Sequence, residues 1–184
     1  MTPTNRRRHQ ATTGINQLYQ AGFTKLPIAN HRMHFVLAVL DCFSRYLLVL
    51  RVSPTCSIQD LTQGLDEALK EARKVSKLGK DRLITLVTDS GPTVAAPAFS
   101  DYISSTPFHH APCATRPFRS LGMIKRLMWT VKDEEISMRM YRNPIEAQFL
   151  LERFRCIYNF ERPHQALRYR YPGDFFCRKS DDSA

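Results

Sequence analysis

The first half of the chain sets short, dense apolar runs between polar breaks, which is the pattern of strands. From Ile15, the segment INQLYQAGF alternates roughly apolar and polar and predicts a first strand. MHFVLAVLD and RYLLVLRV are rich in β-branched, aromatic and aliphatic residues and are separated by only Cys42, Phe43 and Ser44. That spacing predicts an antiparallel hairpin with largely buried strands. Ser53 to Thr55 is turn-like, and Ser57 is placed to cap a helix running to about Lys74. Ile58, Leu61, Leu65, Leu69 and Ala72 recur at three- and four-residue spacing as its apolar face. A charged loop from Lys77 to Arg82 leads into LITLVT, a short buried strand whose end presents Asp89.

The second half changes period. A short helix is predicted around Pro97 to Ser105, then an apolar turn near Phe108 and a proline-containing loop from Ala111 to Ser120. Two further helices are predicted, about Leu121 to Arg142 and Pro144 to Tyr158. Pro144 suits a first helical turn, where its missing N–H costs nothing. On the earlier helix, Ile124, Leu127, Val131 and Met138 make a core-facing stripe, and Lys125, Lys132 and Arg139 make a basic stripe beside it. Seven residues is close to two turns, so these cations drift only about 20° per step. The tail from Asn159 to Phe176 is rich in aromatics, Arg and Pro. Three strands, a helix, a strand and then helices describe an α/β domain with one layered sheet.

Residues 1–14 are polar, contain the run Arg6, Arg7, Arg8, and read as a flexible basic arm before a single domain, 15–184. A chain of 184 residues can bury a real core. Its formal net charge of +10 favours a polyanionic partner, of which nucleic acid is the usual one. No apolar run, Val36 to Leu40 included, is long enough to cross a bilayer, and no signal-like segment opens the chain. Five dispersed cysteines without a C-x-x-C pair point to reduced thiols in an intracellular protein, cytoplasmic in a bacterium.

The candidate chemistry sits at Asp89. TDSGP, from Thr88, resembles the strand-end motif T-D-N-G-P/S of the integrase and transposase catalytic core. VLDCFSRYLLVLRVS resembles that family's V-x-D-x-F-S-R-Y segment, and YNFERPHQALRYRYP resembles its insertion-sequence tail Y-N-x-x-R-P-H-x-A-L-G-Y-x-x-P. The resemblance runs from about Leu18 to Phe176. It implies an RNase H-like fold, a mixed five-stranded sheet flanked by helices, with DNA as partner and a homodimer as the usual assembly. In active relatives an Asp, an Asp and a Glu hold two Mg2+ or Mn2+ ions for phosphoryl transfer. Asp89 matches the second carboxylate. The third belongs 35 residues further on, where GMIKRLMWTVKDEE carries Lys125. The first belongs at a strand end, where QAGFTKLP carries Gly22. The triad reads Gly, Asp, Lys.

Other departures gather at the same place: Ser90 for the Asn after the second Asp, Thr93 for an acidic or amide residue, and Leu121 for the Asn before Gly122. The scaffold segments stay near the pattern, which favours a retained fold with a discarded site. Two-metal chemistry needs ions about 3.5–4 Å apart among oxygen ligands, and one carboxylate cannot concentrate that charge. No cofactor is therefore expected here, and the Lys125 ammonium is expected near Asp89 in place of an ion. Asp41 reads as a hairpin-end residue. Glu134 and Glu135 read as solvated acids too far along the helix to substitute. His109, His110 and Cys113 have no partner at zinc-ligand spacing.

Three functions stay open at this point. The first is a DNA-binding core without catalysis, contacting nucleic acid through Arg6, Arg7, Arg8, Lys125, Lys132, Arg139, and Arg162 and His164 of the R-P-H motif. The second is a recombinase recruiting other carboxylates. The third is a protein-interaction module on the same scaffold.

Overall fold

The computed structural model describes residues 12–30, 32–79, 82–89, 92–111 and 121–177. Arg6, Arg7 and Arg8 of the expected arm, and all but Ala111 of the expected 111–120 loop, lie outside the described residues. Five strands, β1 (Leu18–Leu26), β2 (His34–Asp41), β3 (Leu47–Ser53), β4 (Ile84–Val87) and β5 (Phe108–His110), form one sheet in the order β3-β2-β1-β4-β5. The first three are antiparallel to one another in turn, β4 runs parallel to β1, and β5 runs parallel to β4. This is the mixed five-stranded sheet of an RNase H-like fold.

Alternation along β2 explains the layering. Val36, Ala38 and Leu40 enter a core shared with α4 (Gly122–Val131) and α5 (Pro144–Phe160). Leu37 and Val39 point the other way, into a core shared with α1 (Ile58–Ser76) and α3 (Pro97–Ser104). Successive strand residues face opposite sides, so a strand covered on both faces must be apolar throughout. Helix α1 begins where expected: the Ser57 hydroxyl accepts from the Asp60 N–H, and the Asp60 carboxylate accepts from the Ser57 N–H. Gly64 lets α1 settle onto β2, since a Cβ there would come within 2.2 Å of Leu37 Cδ2. The short α2 (Pro92–Ala95) precedes α3. The tail crosses from the α5 side to the α1 side, where Phe176 of α6 (Pro172–Phe176) stacks on Tyr46 at 4.4 Å. No helix among the described residues is long and apolar enough to cross a membrane.

Four expectations need correction. β1 starts at Leu18 because Asn16 takes a left-handed turn (φ 59°), its side chain held by Tyr19 Oη and Ser76 Oγ. The apolar turn near Phe108 is instead strand β5. With three residues and only Phe108 buried, it offers no readable alternation.

The helix expected to reach Arg142 ends as an α-helix at Val131 and widens into a π-helical turn, Lys132–Ile136, closed by the Ser137 N–H bonding the Lys132 carbonyl at 2.8 Å. A π turn takes an extra residue and rotates the positions beyond it. Ile136 thereby enters the core, and Met138, expected there, is 73% exposed. Glu135, expected to be solvated, is buried, accepting from Tyr141 Oη at 3.3 Å and pairing with Arg139 at 2.8 Å.

Candidate functional site

The parallel pairing of β1 with β4 builds the floor of the site. Gln20 is in register with Val87, so two residues further on the same face come Gly22 and Asp89, just beyond the end of the ladder. The Gln20 side chain is buried, and its Oε1 accepts from the Ile124 N–H at 3.0 Å, which ties the first turn of α4 to β1. Lys125 is the next residue of that turn. The three positions matched to the triad thus converge: Gly22, Asp89 and Lys125 line one cleft of about 350 Å3, together with Thr24, Trp129 and Lys132.

The described lining of the cleft brings one carboxylate together with two lysines. Gly22 contributes no ligand, and both lysines bring positive charge against the single carboxylate of Asp89. No group of three or more His, Cys, Asp or Glu at metal-holding distance exists among the described residues. The nearby acids are committed elsewhere. Asp41 is fully buried and accepts from the Asn16 N–H, the Ser44 N–H and the Ser44 hydroxyl, while burial pushes its pKa up. Glu135 is held by Tyr141 and Arg139, and Glu134 forms a forked pair with Arg162. His110 accepts or donates at Thr88 Oγ1 (2.8 Å), with burial and then the neighbouring His109 lowering its pKa.

Asp89 is exposed, and among the described residues its carboxylate forms no ion pair, so the expected Asp89–Lys125 contact is not made. A flexible lysine stem on the helix surface gains little from an exposed pair in water. The basic stripe also ends early. Lys125 and Lys132 share the cleft wall, whereas Arg139 lies past the π turn with its guanidinium on Glu135.

Residues 114–172 match the family model described as Integrase core domain. The BIV integrase catalytic core domain superposes with a TM-score of 0.62 at 13% identity, over 88% of this chain and 93% of that one. A chain of the simian T-cell lymphotropic virus intasome in complex with PP2A regulatory subunit B56 gamma gives 0.66 at 14% identity, over 92% of this chain. This chain spans only 57% of the length of that viral chain. The HTLV-2 integrase catalytic core domain in complex with magnesium, in its dimeric form, gives 0.56 at 13% identity over 89% and 97% of the two chains. No curated protein matches the sequence.

The fold is that of integrase catalytic cores.

Within this fold, the two R-P-H residues lie away from the Asp89 cleft. Arg162 and His164 line a second cavity, on the other flank of α4. His164 is half-buried and packs edge-on against Tyr158, with ring centroids 4.7 Å apart. Burial, then the charge of Arg162, lowers its pKa. Sequence reasoning missed three residues placed at these sites: Trp129, which is 57% exposed and touches both cavities, Arg126 and Arg45. Trp129 stands in the same GMIKRLMWTVKDEE segment as Lys125, and an aromatic between basic residues was the signal available.

Proposed function

We propose that this domain binds DNA along α4 and does not catalyse two-metal phosphoryl transfer. The observation that carries the reading is the cleft itself, where the three positions matched to the triad meet and hold glycine, aspartate and lysine. A phosphate approaching Lys125 and Lys132 is attracted, whereas a divalent cation is repelled by the same pair. Trp129 presents an exposed ring beside them, a face on which a base can stack. Arg6, Arg7 and Arg8, outside the described residues, and Arg139, Arg162 and His164 are further proposed contacts to the backbone. Four described cysteines, Cys42, Cys56, Cys156 and Cys177, are free thiols, which suits an intracellular setting.

Binding and cleavage measured together on a short duplex test this. Weak binding with little sequence preference is expected. If about five phosphates are neutralised, log K falls against log salt with a slope near −4 to −5. No nicking or strand transfer is expected with magnesium or manganese. Metal-dependent cleavage that vanishes in Asp89→Ala would overturn the reading in favour of an active recombinase. Absence of binding at low salt, or binding indifferent to salt, would instead assign the scaffold to protein interaction.

A homodimer is the proposed assembly. The outward face of α5 carries Ile145, Phe149 and Phe160, exposed by 83, 70 and 49%, at helical spacing with Cys156. A contiguous apolar face of this kind is what a second copy covers, and the HTLV-2 core is described in a dimeric form. Sedimentation should give a dimer for the parent and a monomer for Phe149→Glu. An unchanged assembly in that variant would remove α5 as the contact.

A further inference from the structure

The second cavity, about 430 Å3, lies between α4, the turn joining β2 to β3, and the segment 162–166. Three arginines line it, Arg45, Arg126 and Arg162, together with Trp129 and His164. Arg162 is already engaged by Glu134, but among the described residues neither Arg45 nor Arg126 forms an ion pair. Two polar atoms of this lining are buried without a hydrogen-bond partner, Arg45 Nη1 and His164 Nε2. A buried guanidinium N–H without an acceptor is costly, and Arg45 Nη1 on this wall marks the place of a missing acceptor.

The backbone adds an independent observation. Arg45 sits at φ 63°, in the left-handed region where glycine or asparagine is favoured and other residues are strained. The turn is held there from below: Ser44 donates twice to Asp41, and the Arg45 N–H bonds the Asp41 carbonyl at 3.0 Å. The buried Asp41 is thus a positioning residue for Arg45, a use unrelated to metal.

We infer that this cavity is an anion site that takes a phosphate group, with Arg45 and Arg126 as its donors. A tetrahedral phosphate offers several strong acceptor oxygens, matching forked guanidinium donors approaching from different elements. The phosphate belongs either to a polynucleotide backbone or to a small phosphate compound. Only the first source rests on the DNA-binding reading above. A backbone phosphate seated here would lie across α4 from the Asp89 cleft, with Trp129 between the two.

The test uses the full chain, with inorganic pyrophosphate titrated by calorimetry at low salt. Saturable binding is expected, weakened at least fivefold in Arg45→Gln and in Arg126→Gln, and unchanged in Lys70→Gln, on the exposed face of α1. Arg126 is exposed on the helix, so its variant keeps the test valid if Arg45→Gln fails to fold. Absence of saturable pyrophosphate binding, or equal binding by parent and Arg126→Gln, would overturn the inference. A duplex-DNA arm separates the sources. Loss of about one unit of salt slope in Arg126→Gln identifies a backbone phosphate. Pyrophosphate binding that needs Arg126 while the parent ignores DNA supports a small phosphate ligand and fails only the DNA reading.

Discussion

Restoring both missing carboxylates, Gly22→Asp together with Lys125→Glu, should convert the Asp89 cleft into a divalent-metal site. Space is available: a Cβ built on Gly22 meets only Ile124 Cγ1, at 3.5 Å, an ordinary van der Waals contact. Without metal, the double variant should be less stable than the parent, because three carboxylates would then repel one another around one cleft. With magnesium or manganese at about 100 times its Kd, linkage gives about 2.7 kcal/mol of stabilisation. For a domain of this size that is a Tm rise of roughly 5–10 °C. The parent and each single variant should show little or none of it, and Asp89→Ala in the double-variant background should abolish it. A folded double variant whose Tm ignores both metals would mean that Gly22 and Lys125 are not the triad positions. The result would leave the phosphate site beyond α4 untouched, since that site shares with the cleft no residue altered here.

The convergence of Asp89 and Lys125 on one cleft was legible because it rests on spacing. Thirty-five residues between Asp89 and Lys125 placed the lysine on α4, and the structure brings both residues to one cleft. The β2–β3 hairpin was equally readable, since strands covered on both faces must be apolar throughout and few other segments are. The Ser57 cap was readable because its chemistry is local to four residues. What failed to show was whatever depends on contacts between distant segments. The stripe of Ile124, Leu127, Val131 and Met138 keeps helical spacing straight through the π turn. Nothing local announces that Glu135 will be drawn inward by Tyr141 and Arg139. The second cavity was hidden for the same reason. Arg45 and His164 stand far apart in sequence, and their shared surface exists only once α4 lies between them. His164 was recognisable as part of a motif, but its burial against Tyr158 was not.

The tail motif also carries a structural role that its basic residues obscure, and it predicts the largest loss of stability. β3 is an edge strand, with one row of backbone groups unpaired by any neighbouring strand. Helix α5 covers that row with side chains. Gln148 Oε1 accepts from the Val52 N–H at 2.7 Å, and its Nε2 donates to the Leu50 carbonyl at 3.1 Å. Arg155 donates to the Leu47 and Leu48 carbonyls. Asn159, fully buried, accepts from the Leu47 N–H at 2.8 Å and donates to the Leu47 carbonyl at 3.0 Å. An amide is the group that pairs with a peptide unit in this two-point manner, so Asn159 acts as a one-residue strand. Asn159→Ala strands the Leu47 N–H in the interior, at about 1–3 kcal/mol for an unsatisfied group, while Arg155 still reaches the Leu47 carbonyl. The expected Tm drop is roughly 2–12 °C. Gln148→Ala removes the same number of bonds at a half-buried position that water can reach, so its cost should be less than half as large. Urea unfolding of the two variants decides the matter. Equal and small losses would show that the edge of β3 is satisfied by solvent and that Asn159 is held in place for another reason.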